Sequence, residues 1–200
     1  MTLRCAVAVC VLGLAGCVAT PQRLADVPPL LSVSETSALQ NWDLWTATGR
    51  LAVKSAQDGF NAHFEWRQTG VDSELLVEGP FGAGRSVVRI SPDHIRVEAG
   101  TSPPTDFLAP FTGVEATLTE RLGFAVPLRA LSYWLRGVPD PNLGVDSGAP
   151  GAFVQTQWQV LVDERAAAAV DVVGLPRKLT LTQGNARIRV IVDHWTGRRP

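Results

Sequence analysis

Gly59-Phe60-Asn61-Ala62-His63-Phe64-Glu65-Trp66-Arg67-Gln68 is the stretch that decides the fold class. Phe60, Ala62, Phe64 and Trp66 share one parity, and Asn61, His63, Glu65 and Arg67 share the other. A period of two with one apolar row describes a strand with one buried face and one wet face. A wet face is the mark of antiparallel pairing, because parallel sheets are covered on both sides. The same pattern continues outward through residues 50–55, 74–78, 85–90 and 94–99. Turn formers punctuate it at Gln57-Asp58-Gly59, Thr69-Gly70-Val71-Asp72, Gly79-Pro80-Phe81-Gly82 and Ser91-Pro92-Asp93.

The middle of the chain changes period. Residues 114–122 and 128–135 read as short helices bounded by Gly113, Gly123, Pro127 and Gly137. In the second, Leu128, Leu131, Trp134 and Leu135 fall on one stripe at helical spacing. Residues 140–151 form a Pro/Gly loop, and strands then return. Val154, Thr156, Trp158, Val160 and Val162 alternate with Gln155, Gln157 and Gln159, which predicts one strand. Residues 178–182 and 186–193 form a hairpin over Gln183-Gly184-Asn185. Strands, short helices and strands again predict an α+β domain with an antiparallel sheet and its helices on one side.

The N-terminus carries one basic residue, Arg4, then a short apolar run ending in Leu14-Ala15-Gly16-Cys17. The run is shorter than the about 20 residues a membrane span needs, and its anatomy is that of an export signal. Small residues before a cysteine form a lipobox, so residues 1–16 are read as a cleaved signal and Cys17 as the acylated N-terminus. Of the three cysteines, Cys5 and Cys10 leave with the signal, so the exported domain has no pair to oxidise. Residues 17–41 are read as acylated N-terminus and flexible tether, and residues 42–200 as one folded domain. A formal charge of −1 with no basic run argues against nucleic acid as a partner.

Enzyme signatures are missing: no Gly-x-Ser-x-Gly, phosphate loop, dinucleotide fingerprint or His-Glu-x-x-His occurs. His63, His94 and His194 form no recognisable set, and each reads as a solvated strand residue. Six tryptophans stand against one tyrosine. Trp66, Trp134 and Trp158 fall on apolar faces, where they either fill a core or line a cavity, and the sequence leaves both open. Phe81 sits in a Gly/Pro turn and either folds back onto the sheet or projects. If it projects, it forgoes roughly 1.5–3 kcal/mol of burial, a cost retained when another surface receives it.

Taken in order, several pieces resemble the LolB family of outer-membrane lipoprotein receptors. They are the lipobox at Cys17, Trp45 with Gly49-Arg50-Leu51-Ala52-Val53, Gly59-Phe60 with Phe64-x-Trp66-x-Gln68, and Gly79-Pro80-Phe81-Gly82. Leu131-x-x-Trp134-x-x-Gly137-x-Pro139, Gln155-x-x-Trp158-x-Val160 and Leu175-Pro176-x-Lys178-Leu179 complete the set. The resemblance implies an incomplete antiparallel barrel with a short helical lid over a hydrophobic cavity. It implies a monomeric, non-enzymatic receptor on the periplasmic face of the outer membrane, using neither cofactor nor metal. Such a receptor takes acylated lipoproteins from the periplasmic carrier LolA and inserts them into the inner leaflet. Phe81, flanked by Pro80 and Gly82, matches the family's membrane-insertion loop, where Leu is more usual. Phe60, Phe64, Trp66, Leu128, Leu131, Trp134, Leu135 and Trp158 are the candidate acyl-chain wall. The alternative reading is a non-catalytic envelope lipoprotein acting as a protein-binding or structural module, which shares the tether and the fold class.

Overall fold

The alternation of residues 59–68 becomes the two rows of a long strand, with Ala62, Phe64 and Trp66 buried and Asn61, His63 and Arg67 exposed. The computed structural model describes residues 31–56, 58–82, 84–109, 113–114, 125–148, 150–166 and 174–197. The signal at 1–16, Cys17, the tether to residue 30 and all but the start of the helix predicted at 114–122 lie outside the described residues. Of that helix, Gly113 and Val114 are helical.

Eleven strands follow one another in the described chain. They are β1 (Leu44–Lys54), β2 (Gly59–Thr69), β3 (Asp72–Glu78), β4 (Ser86–Ile90), β5 (His94–Ala99) and β6 (Thr105–Leu108), then β7 (Asp146–Ser147), β8 (Ala152–Gln155), β9 (Trp158–Arg165), β10 (Pro176–Gln183) and β11 (Ala186–Thr196). They form one antiparallel sheet in the order β6-β5-β4-β3-β2-β1-β11-β10-β9-β8-β7. The end strands β6 and β7 do not pair with each other, so the sheet is an open half-barrel. A helix between them, α2 (Leu128–Leu135), turns its apolar stripe onto the concave face.

Bending the sheet needs a break in the ladder at its centre. The register of β1 against β11 shifts between Thr48 and Gly49, and such bulges increase bend and twist. At Gly49 a Cβ would stand 2.1 Å from the Ile191 carbonyl oxygen and 2.9 Å from the Phe64 ring. Hydrogen in place of a methyl therefore lets β11 and the Phe64 ring close over β1. Below this point Trp45 and Trp66 stack with centroids 6.3 Å apart, and Trp42 and Trp195 pack on Trp45 at 5.8 and 5.3 Å. This aromatic cluster fills one end of the barrel.

Three expectations are corrected. The tether does not run to residue 41, because Val33–Gln40 forms a helix, α1. Ser32 and Glu35 close a reciprocal capping box at its start, which satisfies two otherwise orphaned N–H groups. The single strand predicted around residues 154–162 is the hairpin β8–β9. Thr156 and Gln157 adopt φ of +48° and +68°, the pair of left-handed residues that a two-residue turn of type I′ requires. The turn reverses the chain, so Gln155 and Trp158 oppose each other and both are buried. The loop predicted at 140–151 contains the short edge strand β7, paired to β8.

Gly49→Ala should lower the urea midpoint by the equivalent of roughly 1–3 kcal/mol, the usual cost of forcing atoms into a packed site. An unchanged midpoint would show that the strand crossing does not depend on a bare Cα.

Candidate functional site

Between α2 and the concave face lies a cavity of about 290 Å³, close to the lower bound of about 300 Å³ for small-molecule pockets. Leu51 and Val53 from β1, Leu75 and Val77 from β3, Leu179 and Leu181 from β10, and Ile188 and Val190 from β11 form its floor. Leu128, Leu131, Trp134 and Leu135 of α2 form its roof. Ser86 contributes the single hydroxyl among the described lining residues.

The two tryptophans in the wall carry polar N–H groups, and both are turned to partners elsewhere. Trp66 Nε1 donates to the Gln68 side-chain oxygen at 3.2 Å, and Gln68 in turn accepts from the Ser73 hydroxyl at 2.7 Å. Trp134 Nε1 donates to Gln155 Oε1 at 2.9 Å. With the indole donors engaged outside it, the space presents hydrocarbon and ring faces and offers little to bind water, which needs two to four polar partners. What fits such a wall is an alkyl group, held by contact and not by direction.

Of the eight residues proposed from the sequence, the structure brings Phe60, Phe64, Trp66, Leu128, Leu131, Trp134 and Leu135 together around this space. Trp158 is not among them. Its ring packs on Trp134 at 6.3 Å, and its Nε1 donates to the Ala125 carbonyl at 3.1 Å, so it is core behind the wall. The tryptophans thus divide between filling a core and lining a void. Phe60 is 43% exposed and stands at the rim.

Two residues that the sequence reading missed hold the roof. Gln155, read there as part of an outward polar row, is 1% exposed. Its oxygen accepts from Trp134 Nε1 and from the Asp140 N–H, and its amide donates to the Asp140 and Leu143 carbonyls. Arg136, just past α2, is buried. It donates to the carbonyls of Ser132, Leu39, Gln40 and Trp42, and its guanidinium lies 4.6 Å from the Tyr133 ring centroid. Burial pushes its pKa down to about 10 against the opposing pull of Tyr133 and Asp140, so it stays charged at neutral pH. The C-terminal carbonyls of α1 supply the negative dipole end that this cation needs. A period-two count that ran straight through the 156–157 turn assigned Gln155 to the wrong face.

The turn Pro80–Gly82 is a single 3₁₀ turn with Pro80 and Gly82 exposed. Phe81 lies in it, and its side chain is outside the described part of the structure. The turn joins β3 to β4 at the end of the sheet where Val77 and Ser86 line the cavity. A larger cleft of about 880 Å³ borders the outer side of α2, with Gln40, Asp43, Asn142 and Ser132 in its wall. Its charged and amide groups suit water better than an alkyl chain. No group of acidic, His or Cys residues able to hold a metal occurs among the described residues.

A family model described as "Outer membrane lipoprotein LolB" matches residues 43–195. The outer-membrane lipoprotein LolB of Nitrosococcus oceani is 30% identical over 190 residues, covering 91% of this chain and 91% of that protein. The protein of the same name from Chromohalobacter salexigens is 28% identical over 167 residues, covering 81% of this chain and 75% of that one. The crystal structure of a LolA superfamily protein from Nitrosomonas europaea superposes with a TM-score of 0.48 at 7% identity, over 86% of this chain and 96% of that one.

Replacing Gln155 with Leu should strand the Trp134 N–H and both Asp140 backbone groups. At about 1–3 kcal/mol for a buried group left unpaired, the variant should melt well below the parent by calorimetry. A Gln155→Leu protein as stable as the parent would show that the roof is held by apolar contact alone.

Proposed function

The chain belongs to the LolB family of outer-membrane lipoproteins, and from that footing we propose that it receives acylated lipoproteins from the periplasmic carrier LolA and inserts them into the inner leaflet of the outer membrane. Cys17 is the acylated residue that anchors it. Transport by contact, without cofactor, nucleotide or catalysis, is the activity the cavity suits.

The observation that carries this reading is a hydrocarbon-lined space whose indole donors are engaged elsewhere. An acyl chain in water costs about 0.8 kcal/mol per methylene, so a receptor must shield it at least as well as the donor for transfer to run forward. Phe60, Phe64, Trp66, Leu128, Leu131, Trp134 and Leu135 shield it without directional bonds. Such a wall discriminates little among clients that share only their lipid. Trp158 supports Trp134 from behind.

The attachments of α2 set how the roof opens. Its C-terminal end is tied by Gln155 and Arg136, while Pro127 at its start provides no side-chain cap. The N-terminal end, with Leu128 and Leu131, lifts away from the sheet by giving up the single bond from Trp158 Nε1 to the Ala125 carbonyl, and Trp134 stays as the pivot. Release occurs toward Pro80, Phe81 and Gly82, where Phe81 enters the bilayer and lowers the barrier for chains leaving the cavity.

Phe81→Glu should keep the melting temperature and abolish delivery from the carrier into liposomes; normal delivery would reject the loop's role. Leu131→Trp, which fills the roof side of the cavity, should cut binding of a hydrophobic dye at least tenfold at unchanged stability. Full binding by that variant would place the acyl chain elsewhere.

A further inference from the structure

Most cations in the described structure have partners. Arg67 pairs with Glu65 and Glu74, Arg89 with Glu74 and Glu98, and Arg96 with Glu98 and Asp106. Arg50 pairs with Asp193, and Arg177 and Lys178 share Glu164. Buried Arg136 and half-buried Arg165 donate to backbone carbonyls. Lys54, Arg85, Arg187 and Arg189 differ, being exposed and making no ion pair or hydrogen bond through their side chains among the described residues.

These four lie at one end of the sheet. Lys54 closes β1 and stands opposite Arg187 on β11, while Arg189 follows two residues on, along the same face, opposite Ala52. Arg85 is the last residue before β4. This end carries the β1–β2, β3–β4 and β10–β11 turns, and Val53, Val77, Ser86 and Ile188 of the cavity wall reach it. Among the described residues the acids nearest this end are exposed Asp58 in the β1–β2 turn, half-buried Glu78 beside Gly82, and Glu98, which Arg89 and Arg96 already hold. Like charges directly opposite each other on neighbouring strands are destabilising, yet Lys54 and Arg187 face each other with no acid bridging them.

We infer that this basic rim is a docking face for an anionic phospholipid surface, which orients the mouth of the cavity toward the leaflet. The inference rests on the proposed bilayer contact of the Phe81 turn and adds the headgroup chemistry that the turn meets. Cations that flank an apolar tip form the combination that settles at a charged lipid interface. An acidic protein would satisfy the cations but leave the tip and the cavity mouth unused. Surface charge is felt over about 8 Å at physiological salt, so the cations nearest the strand ends, Lys54 and Arg187, contribute most.

The test uses the acylated full chain, anchored by its own lipid in vesicles of phosphatidylcholine alone or mixed with phosphatidylglycerol. A Ser102→Cys substitution in the β5–β6 turn carries an environment-sensitive dye, and a headgroup-attached quencher reports docking of this end. Phosphatidylglycerol should raise the docked-to-undocked ratio by roughly fivefold for each cation engaged, and high salt should erase the increment. Lys54→Gln, Arg187→Gln and Arg189→Gln together should cut the increment to the roughly fivefold that Arg85 alone supplies and leave quenching in neutral vesicles unchanged. No increment in the parent, or a full increment in the triple variant, overturns the inference. A triple variant that docks normally but accepts clients poorly would assign the rim to an acidic protein face and overturn it too. Absence of quenching in neutral vesicles, or its indifference to Phe81→Glu, would instead count against the bilayer contact of the turn.

Discussion

A hollow lined with hydrocarbon persists in a protein only if its walls can neither collapse inward nor supply hydrogen bonds to water. Both conditions are met here by rigid aromatic side chains whose polar ends are fixed on the far side of the wall. Trp66 and Trp134 each present a ring face to the space and a bonded N–H away from it. The glutamines that receive those N–H groups are themselves held by backbone carbonyls or by a serine hydroxyl. The dry interior thus depends on a polar layer directly behind it, and the bulge at Gly49 gives the sheet the bend that leaves room between the two faces.

The same logic joins the N-terminal helix to the roof. The cationic side chain of Arg136 has no carboxylate partner among the described residues and relies on carbonyl oxygens of α1, the α1–β1 corner and α2. Gln40 returns the contact by donating to the Pro139 carbonyl at 2.8 Å. Because α1 follows the stretch read as the membrane tether, the anchored end of the domain and the fixed end of the roof form one hydrogen-bonded unit. At the opposite end of α2, Leu128 and Leu131 pack on the cavity wall and the Ala125 carbonyl accepts from Trp158 Nε1.

Much of the sheet was legible from parity alone, because strands with one wet face leave that record in the residues. The β2 row of Ala62, Phe64 and Trp66 and the α2 stripe of Leu128, Leu131 and Leu135 are such cases. The β8–β9 hairpin was not legible. Thr156 and Gln157 adopt positive φ without glycine or asparagine to announce it, so the alternation appeared to run on and placed Gln155 outside. The helix α1 did carry a signal, Ser32-x-x-Glu35, but its own residues show no apolar stripe, so the capping box alone marked it. Nothing local distinguishes Trp134, which lines the space, from Trp158, which lies behind it. That difference arises from the direction in which two remote segments meet. Arg136 could not be read as buried because its partners are carbonyls nearly a hundred residues away.

The margins of the sheet carry a further consequence. The outermost strands are four residues long at β6 and two at β7, so a passing chain meets only a few free backbone groups on either border. Adding a foreign strand requires a longer template than that. Among the described residues these two borders therefore offer little template for main-chain zippering. A group seated in the hollow meets side chains and shape there and no free strand edge.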